Sequence, residues 1–351
     1  MLKKKITILA LETSADETGA AVLLGDLHTR KFSLRSNVIY SQIAKHRVTG
    51  GIVPEVAARE HLPKVVPAIK TALNRARLTL PDIDAVAVTA GPGLATSLMI
   101  GVDTAKTLSY ALRKPLVAIN HLEGHLLSAL PKNSKFEIRN SKLFPAICLV
   151  VSGGHTQLIL MEKIGQYELI GETRDDAAGE CLDKVARILE LGYPGGPAIA
   201  VCAAKAKLGG RRVSDQLPRP MMYTKNYDFS FSGLKTAVLY KVKKGKYDKI
   251  EMCREVQQAV IDVLIHKTVK AAKDFRAKSI ILGGGVAANE ELREQFKLAI
   301  SNQQSAIKFF VPPQNLCTDN AVMVAATAYF HRKNIRKNIK AEANLRISEI
   351  K

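Results

Sequence analysis

The order of apolar and polar stretches along the chain predicts two similar halves. In each half, two apolar runs of strand length flank a short polar turn, at 6–11 and 19–24 in the first half and at 146–151 and 158–161 in the second. Apolar runs this short, interrupted by polar and glycine-rich residues, are typical of buried strands. The repeated order predicts a strand–turn–strand unit in each half.

Each half then continues with a third apolar run that ends in glycines and precedes a helix-forming stretch. This second repetition predicts an α/β fold with two similar lobes and a central cleft. We predict a first lobe over residues 1–140, a second lobe over 141–330, with its last helix able to pack back on the first lobe, and a basic tail over 331–351. The repeated segments are 85–88, 90–93 and 95–108 in the first half, and 279–282, 283–285 and 290–300 in the second.

Charge adds a candidate partner to this architecture. The 351 residues contain 52 Lys and Arg against 32 Asp and Glu, a formal net charge of +20. Such an excess favours a polyanionic partner, first nucleic acid and second an anionic membrane surface, although it also serves general solubility. The five cysteines lack Cys-x-x-Cys spacing, which argues against a cysteine zinc site and suits a reducing cytoplasm. The apolar run at 6–11 is too short for a secretory signal, and we expect no membrane span.

A pair of histidines provides the clearest local chemistry. His121 and His125 are four residues apart, so on a helix they share one face and can share a metal ion, although packing is the commoner role of such a pair. Glu123 points away from that face, which excludes the metalloprotease arrangement with Glu directly after the first His. Asp319 is the best third ligand, with helix capping as its alternative role. Mixed His and carboxylate ligation suits iron or zinc.

Three glycine-rich turns are candidate phosphate sites, because backbone N–H groups approach anions closely where side chains are absent. They are Gly91-Pro92-Gly93, Ser152-Gly153-Gly154 and Gly283-Gly284-Gly285, and none matches a Walker loop or a dinucleotide fingerprint. Asp175 and Asp176 lie near the start of a predicted helix that they could simply cap. Asp183, further along that helix, is free to meet a ribose.

Ten ordered motifs together resemble one family across residues 6–330. The family is that of the tRNA threonylcarbamoyladenosine synthase transferase subunit, in its bacterial form, within the actin-like ATPase superfamily, and the resemblance implies that the two α/β lobes are actin-like (ribonuclease H-like). The motifs are Leu11-Glu12-Thr13-Ser14-Ala15-Asp16-Glu17-Thr18, Gly50-Gly51-Ile52-Val53-Pro54-Glu55, Asn120-His121-Leu122-Glu123-Gly124-His125, Val151-Ser152-Gly153-Gly154-His155-Thr156-Gln157, Asp175-Asp176-Ala177-Ala178-Gly179-Glu180, Asp183-Lys184, Tyr193-Pro194-Gly195-Gly196-Pro197, Phe229-Ser230-Phe231-Ser232-Gly233-Leu234-Lys235, Gly284-Gly285-Val286-Ala287-Ala288-Asn289 and Cys317-Thr318-Asp319-Asn320.

The resemblance implies an acyltransferase that moves a threonylcarbamoyl group from threonylcarbamoyl-adenylate to N6 of adenosine 37 in tRNAs reading ANN codons, releasing AMP. It implies iron(II), or alternatively zinc, held by His121, His125 and Asp319. It also implies two partner proteins, an inactive paralogue and a small ATPase, in the cytoplasm. The residues implied to contact the acyl-adenylate, or ATP, ADP or AMP, are Val150, Val151, Ser152, Gly153, Gly154, Asp183, Gly196 and Asn289, with Glu12, His155 and Glu180 in support.

Two departures and two rival functions remain. Ala15 stands where many relatives of this family have Cys, and we expect that Cys to be dispensable. The Lys-rich segment at 131–143 and the basic tail are further departures, for which we hypothesise a contribution to tRNA affinity. An actin-like small-molecule kinase would not need the His121, His125 and Asp319 set, and a non-catalytic scaffold would be expected to lose it.

Overall fold

A computed structural model describes residues 5–29, 31–130, 143–206, 217–245, 247–302, 307–333 and 339–349. The Lys-rich segment predicted at 131–143 lies outside the described residues except for Leu143. Residues 207–216 also lie outside them, as do residues 334–338 and 350–351 of the basic tail.

Ten strands and ten helices follow one another along the described chain. The strands are β1 (Lys5–Glu12), β2 (Glu17–Asp26), β3 (Phe32–Ser41), β4 (Ala85–Gly91), β5 (Leu116–Asn120), β6 (Ala146–Val151), β7 (Thr156–Lys163), β8 (Gln166–Glu172), β9 (Ser279–Gly283) and β10 (Lys308–Phe310). The helices are α1 (Ile43–Thr49), α2 (Pro54–Ala76), α3 (Ala95–Leu112), α4 (His121–Ser128), α5 (Ala178–Ile188), α6 (Gly195–Ala203), α7 (Ser232–Lys243), α8 (Lys249–Asp274), α9 (Glu290–Ser301) and α10 (Ala321–Phe330).

The strands form two five-stranded sheets with the same connectivity. The first has the order β3-β2-β1-β4-β5, and the second has the order β8-β7-β6-β9-β10. In each sheet, the first three strands in chain order pair antiparallel with one another in turn. The fourth strand pairs parallel with the first, and the fifth pairs parallel with the fourth. The predicted duplication of an α/β lobe is therefore confirmed.

The central strands carry continuous apolar runs because both of their faces are buried. In β1, Leu9 and Leu11 belong to the core cluster formed with α2 and α3. The intervening Ile8 and Ala10 have no solvent exposure either. Successive strand residues point to opposite faces, so these two are covered from the other side, and α10 is the helix packed against β1 and β2.

The chain clusters into two compact units. The first comprises Met1–Lys45, Ile52–Asn140 and Thr318–Lys351, and the second comprises His46–Gly51 and Ser141–Cys317. Helix α10 thus belongs to the first unit, although it follows the whole second unit in sequence. The lobe limits inferred from the sequence, 1–140, 141–330 and 331–351, stay a prediction.

The described part of the C-terminal segment, residues 339–349, packs on the first unit. Ile339 and Ile347 are buried, and the amide of Glu342 donates to the carbonyl of Ala90 at 2.7 Å. The amide of Gly93 in turn donates to the carbonyl of Ala343 at 3.1 Å. This stretch is therefore an ordered part of the first unit.

Among the described residues, no helix combines the length and the apolar character that crossing a bilayer would need.

Candidate metal centre and nucleotide site

Helix α4 presents the two candidate histidine ligands from the first unit. It begins directly after β5, and the Asn120 side chain caps it by accepting from the amides of Leu122 and Glu123. All eight residues of α4 are buried. The four-residue spacing places the His121 and His125 rings together, with centroids 4.6 Å apart.

Asp319 completes a cluster of three side chains that could hold a metal ion. Its Oδ1 lies 3.5 Å from Nε2 of His121 and 3.1 Å from Nε2 of His125. Metal–ligand bonds of about 2.0–2.2 Å place neighbouring donor atoms about 2.9–3.5 Å apart. The observed separations fit that requirement without any rearrangement.

The histidine nitrogens and the local charge both fit a bound cation. Both ring nitrogens of His125 are buried, and neither makes a hydrogen bond among the described residues, although Nε2 lies 3.1 Å from Oδ1 of Asp319. The pKa of Glu17 is raised, first by burial and then by the negative charges of Asp319, Asp16 and Glu12. Carboxylates gathered in a buried region repel one another, and a divalent cation relieves that repulsion.

Glu12 and Ser14 support the His121 ring on the side of its Nδ1 atom. Glu12 has no solvent exposure, and its carboxylate accepts from the Ser14 amide at 2.7 Å and from the Thr89 hydroxyl at 2.6 Å. The Ser14 hydroxyl lies 3.0 Å from Nδ1 of His121, which leaves Nε2 facing Asp319. A polar group on the second ring nitrogen is the usual support of a metal-binding histidine.

The same carboxylates change the pKa of His121. Burial lowers this pKa, but the charge of Asp319 and the hydrogen bond and charge of Glu12 outweigh it and raise it to about 9. The first unit therefore attracts positive charge at Nε2 of His121, whether a proton or a metal ion. Sequence reasoning missed Ser14 and Thr89, although Ser14 lies within the first quoted motif.

The alternative role considered for Asp319, capping the last helix, is wrong. The cap of α10 is Asn320, whose side chain accepts from the amides of Val322 and Met323. The Asp319 carboxylate is therefore turned toward the histidines while its neighbour satisfies the helix terminus.

In the second unit, the turn between β6 and β7 is a candidate phosphate site. The Ser152 amide donates to the His155 carbonyl at 2.8 Å, and the Ser152 hydroxyl accepts from the His155 amide at 3.1 Å. This tight turn follows Val150 and Val151 at the end of β6. Gly153 and Gly154 are exposed, and no described heavy atom lies within 4 Å of where their Cβ atoms would be. Their surface is open to a ligand.

Two other segments approach this turn so closely that only glycine fits. A Cβ on Gly179, at the start of α5, would lie 2.5 Å from the Ser152 carbonyl oxygen. A Cβ on Gly284, directly after β9, would lie 2.3 Å from the Val151 carbonyl oxygen. Gly284 also has φ +91°, a backbone conformation that other residues rarely adopt. The second unit thus brings the Ser152 turn, the start of α5 and the β9 turn together.

Asp183 is only partly available for a ribose. Its Oδ1 accepts from the Gly195 amide at 2.6 Å, at the start of α6, and a Cβ on Gly195 would lie 2.5 Å from Asp183 Cα. Burial raises the pKa of Asp183, and this hydrogen bond opposes the rise. One carboxylate oxygen is thus committed to α6, so the expectation of a free Asp183 side chain is corrected. Gly196 is less crowded, with Leu182 Cδ1 at 3.9 Å as the nearest atom to its Cβ position.

Asn289 and Glu180 have structural contacts of their own. Asn289 caps α9 through the Leu292 amide, and its amide nitrogen donates to Gln257 at 2.9 Å. Glu180 pairs with Lys184 at 2.9 Å and is half-buried. The Asn289 side chain is therefore fixed by α8 and α9, and any contact it makes with a nucleotide is made from that position.

The acidic pair before α5 does not cap that helix. Its N-cap is Ala177, whereas Asp175 accepts from the Ser230 hydroxyl and from the amides of Phe231 and Ser232 at the start of α7. Asp176 pairs with Lys184 and Lys235. The alternative role considered for the pair, capping α5, is wrong, because these carboxylates join α5 to α7.

The remaining candidate turn, Gly91-Pro92-Gly93 in the first unit, is covered by Glu342 and Ala343 of the same chain. A Cβ on Gly91 would lie 1.9 Å from the Glu342 carbonyl oxygen, and the Gly93 amide is bonded to Ala343. The expectation of a phosphate site at Gly91-Pro92-Gly93 is therefore wrong. Its glycines make room for the C-terminal segment.

These two lobes of identical connectivity define an α/β protein of the actin-like class. Its fold matches that of HypF from T. kodakarensis with a TM-score of 0.59 at 13% sequence identity, covering 95% of this chain and 48% of that one. At that identity the match shows the fold alone.

Sequence comparison then defines the family. The family described as tRNA N6-adenosine threonylcarbamoyltransferase matches residues 33–326. The chain is 46% identical to the protein of that name from Syntrophomonas wolfei over 95% of both chains. It is 47% identical to the one from Ralstonia pickettii, over 91% of this chain and 89% of that protein. The chain belongs to the tRNA N6-adenosine threonylcarbamoyltransferase family and is a transferase.

Proposed function

We propose that the chain transfers a threonylcarbamoyl group from threonylcarbamoyl-adenylate to N6 of adenosine 37, next to the anticodon of tRNAs that read ANN codons. In this reaction N6 attacks the carbamoyl carbon, the bond from that carbon to the phosphate oxygen breaks, and AMP leaves as N6 loses a proton. The observation that carries the proposal is the His121, His125 and Asp319 cluster in a member of this family.

The reaction asks for positioning and charge neutralisation more than for a nucleophile, because the mixed anhydride is already activated. The exposed turn at Ser152-Gly153-Gly154 offers backbone amides to a phosphate. His121, His125 and Asp319 would hold iron(II), with zinc as the alternative, and the ion would supply Lewis-acid polarisation of an oxygen. The chain's own part is to bind the nucleotide, orient the ligand histidines through Glu12 and Ser14, and neutralise developing negative charge.

Substrate and partners follow from the same proposal. A formal charge of +20 suits tRNA, which carries one phosphate per nucleotide. We further propose that the chain acts in the cytoplasm together with an inactive paralogue and a small ATPase.

The test is mass-spectrometric nucleoside analysis of tRNA incubated with the protein, threonylcarbamoyl-adenylate and the partner proteins. We expect threonylcarbamoyl-adenosine with the unaltered chain and a loss of at least about a hundredfold with His121→Ala. The matched control is His28→Ala, which removes an exposed histidine remote from the cluster in sequence. Phosphorylated product with ADP would instead support a kinase, and no product despite bound nucleotide would support a scaffold.

A further inference from the structure

Glu123 is a buried carboxylate on the helix that carries both histidine ligands. It lies two residues after His121 and two before His125, and it is 1% exposed. A helix turns about 100° per residue, so Glu123 points away from the face that the two histidines share. A buried carboxylate is costly unless it is paired. The residue that pairs with Glu123 therefore bears on how α4 is held in place.

That partner lies at the far end of the other ligand-bearing element. Nε2 of His331 is 2.7 Å from Oε1 of Glu123, and the His331 side chain is only 12% exposed. His331 is the C-cap residue of α10, and Asp319 comes just before the N-cap of the same helix. Over ten residues, α10 spans about 15 Å. Helices α4 and α10 are therefore joined at both ends of α10, by the metal cluster and by the Glu123–His331 pair.

Close packing between these two contacts limits sliding of the helices. A Cβ on Gly124 would lie 3.2 Å from Met323 Cγ, so the backbone of α4 at Gly124 packs closely against the Met323 side chain of α10. The other interior residues of α4 include Leu122, Leu126 and Leu127, all buried. The hydrophobic effect itself has no preferred direction. A hydrogen bond does, so it constrains the rotation of a helix about its axis more sharply than apolar burial alone.

We propose that Glu123 and His331 are positioning residues that set the rotation of α4, so that Nε2 of His121 and Nε2 of His125 meet Asp319 at ligand distance. The inference rests on the metal centre of the proposed function. It assigns to the pair a role in metal affinity that is separate from folding.

The variants follow from the chemistry of the pair. Glu123→Met and His331→Leu each remove the hydrogen bond, and the double variant removes it while leaving an apolar contact that a buried site tolerates well. Glu123→Gln keeps an oxygen that accepts from His331. Glu255→Met is the matched control, because Glu255 is also a buried helical carboxylate, paired with Arg219 in the second unit.

The experiment is titration of the full-length apo-protein with Co²⁺, read by its visible absorption bands, beside a thermal melt of each variant. We expect Glu123→Met, His331→Leu and the double variant to bind Co²⁺ about 10–100-fold more weakly and with altered bands. The double variant should lose about as much as the more affected single variant, since both single variants already break the Glu123–His331 contact. Glu123→Gln should bind within about threefold of the unaltered protein, and Glu255→Met should bind as the unaltered protein does.

Unchanged Co²⁺ affinity and bands in folded single and double variants would overturn the inference, even if their melting temperatures fell. If a single variant does not fold, the double variant decides in the same way. Binding by His125→Ala equal to that of the unaltered protein would overturn the metal centre itself. A loss in His125→Ala with no loss in the Glu123 and His331 variants removes only this inference.

Discussion

The two units have the same sheet, yet equivalent glycine turns serve opposite purposes. In the first unit, the turn after β4 is occupied by residues 339–349, whose carbonyl and amide groups bond to Gly93 and Ala90. In the second unit, the turn after β9 keeps Gly285 open, with no described heavy atom within 4 Å of its Cβ position. Connectivity is shared, whereas the access of a ligand is decided by what covers the turn.

The turns after the first strand of each unit differ in the same manner. In the first unit, Glu12 and Ser14 face inward and support His121, a candidate metal ligand. In the second unit, the corresponding Gly153 and Gly154 face outward. One copy of the fold thus leaves its strand-end turns open, and the other uses the equivalent turns to contact the C-terminal segment and to support a cluster of side chains.

The largest expected effect is the destabilisation of the first unit by Gly91→Ala. The new Cβ would overlap the Glu342 carbonyl and displace the C-terminal segment, at a cost of about 3 kcal/mol or more. We expect the melting temperature to fall by about 5–10 °C in a calorimetric scan. Gly285→Ala, in the equivalent open turn, is the control and should melt within about 1 °C of the unaltered protein. Equal losses would contradict the comparison.

A smaller effect concerns Lys267 in the second unit, whose side chain binds the segment that contains Thr224 and Asn226. Lys267 of α8 has no solvent exposure and donates to the Thr224 hydroxyl at 2.7 Å and the Asn226 carbonyl at 2.9 Å. Burial lowers the pKa of Lys267 from 10.5 to about 8, against the opposing charge of Asp228. Between these two pH values the unfolded chain binds more protons than the folded chain, so the free energy of unfolding rises with pH.

Lys267→Met should abolish that rise. Relative to the variant, the unaltered protein should gain about 1–3 kcal/mol as pH increases from about 8 to about 10.5. Denaturant unfolding of both proteins across this range measures the difference, and other groups that titrate there cancel because they are common to both. A difference that stays constant or shrinks with pH would show that the amine is not desolvated.

The smallest effect is on ligand affinity. Gly153→Ala adds a methyl group to the open turn, where it competes with a phosphate, so we expect AMP to bind about tenfold more weakly by calorimetry. Stability should change by less than about 0.5 kcal/mol, because the residue is exposed. Unaltered AMP affinity would remove this turn from the nucleotide site.

Periodicity and spacing predicted the features that depend on neighbouring residues. The paired strands, the glycine turns that follow β6 and β9, and the shared face of His121 and His125 are all visible over fewer than about twenty residues. The contact of Gly91 with Glu342 was not predictable, because a backbone carbonyl about 250 residues away has no side-chain signature. The Glu123–His331 pair was missed for the same reason, since a polar residue on a helix face is usually solvated.

The capping of α10 shows a second kind of limit. Asp and Asn are both good N-cap residues, so Asp319-Asn320 gave two equivalent starting points for one helix. The choice is made by tertiary contacts, because the histidines of α4 attract the carboxylate and leave the cap to Asn320.

The return of α10 to the first unit has a consequence for synthesis of the chain. All but six residues of the second unit form one continuous stretch, 141–317, which can fold while the rest is still being translated. The first unit lacks Asp319, α10 and the partner of its β4 turn until the residues after Cys317 have been translated. The candidate metal cluster is therefore complete only after the whole second unit has been synthesised, and a chain that ended before Asp319 would present two histidines without their carboxylate.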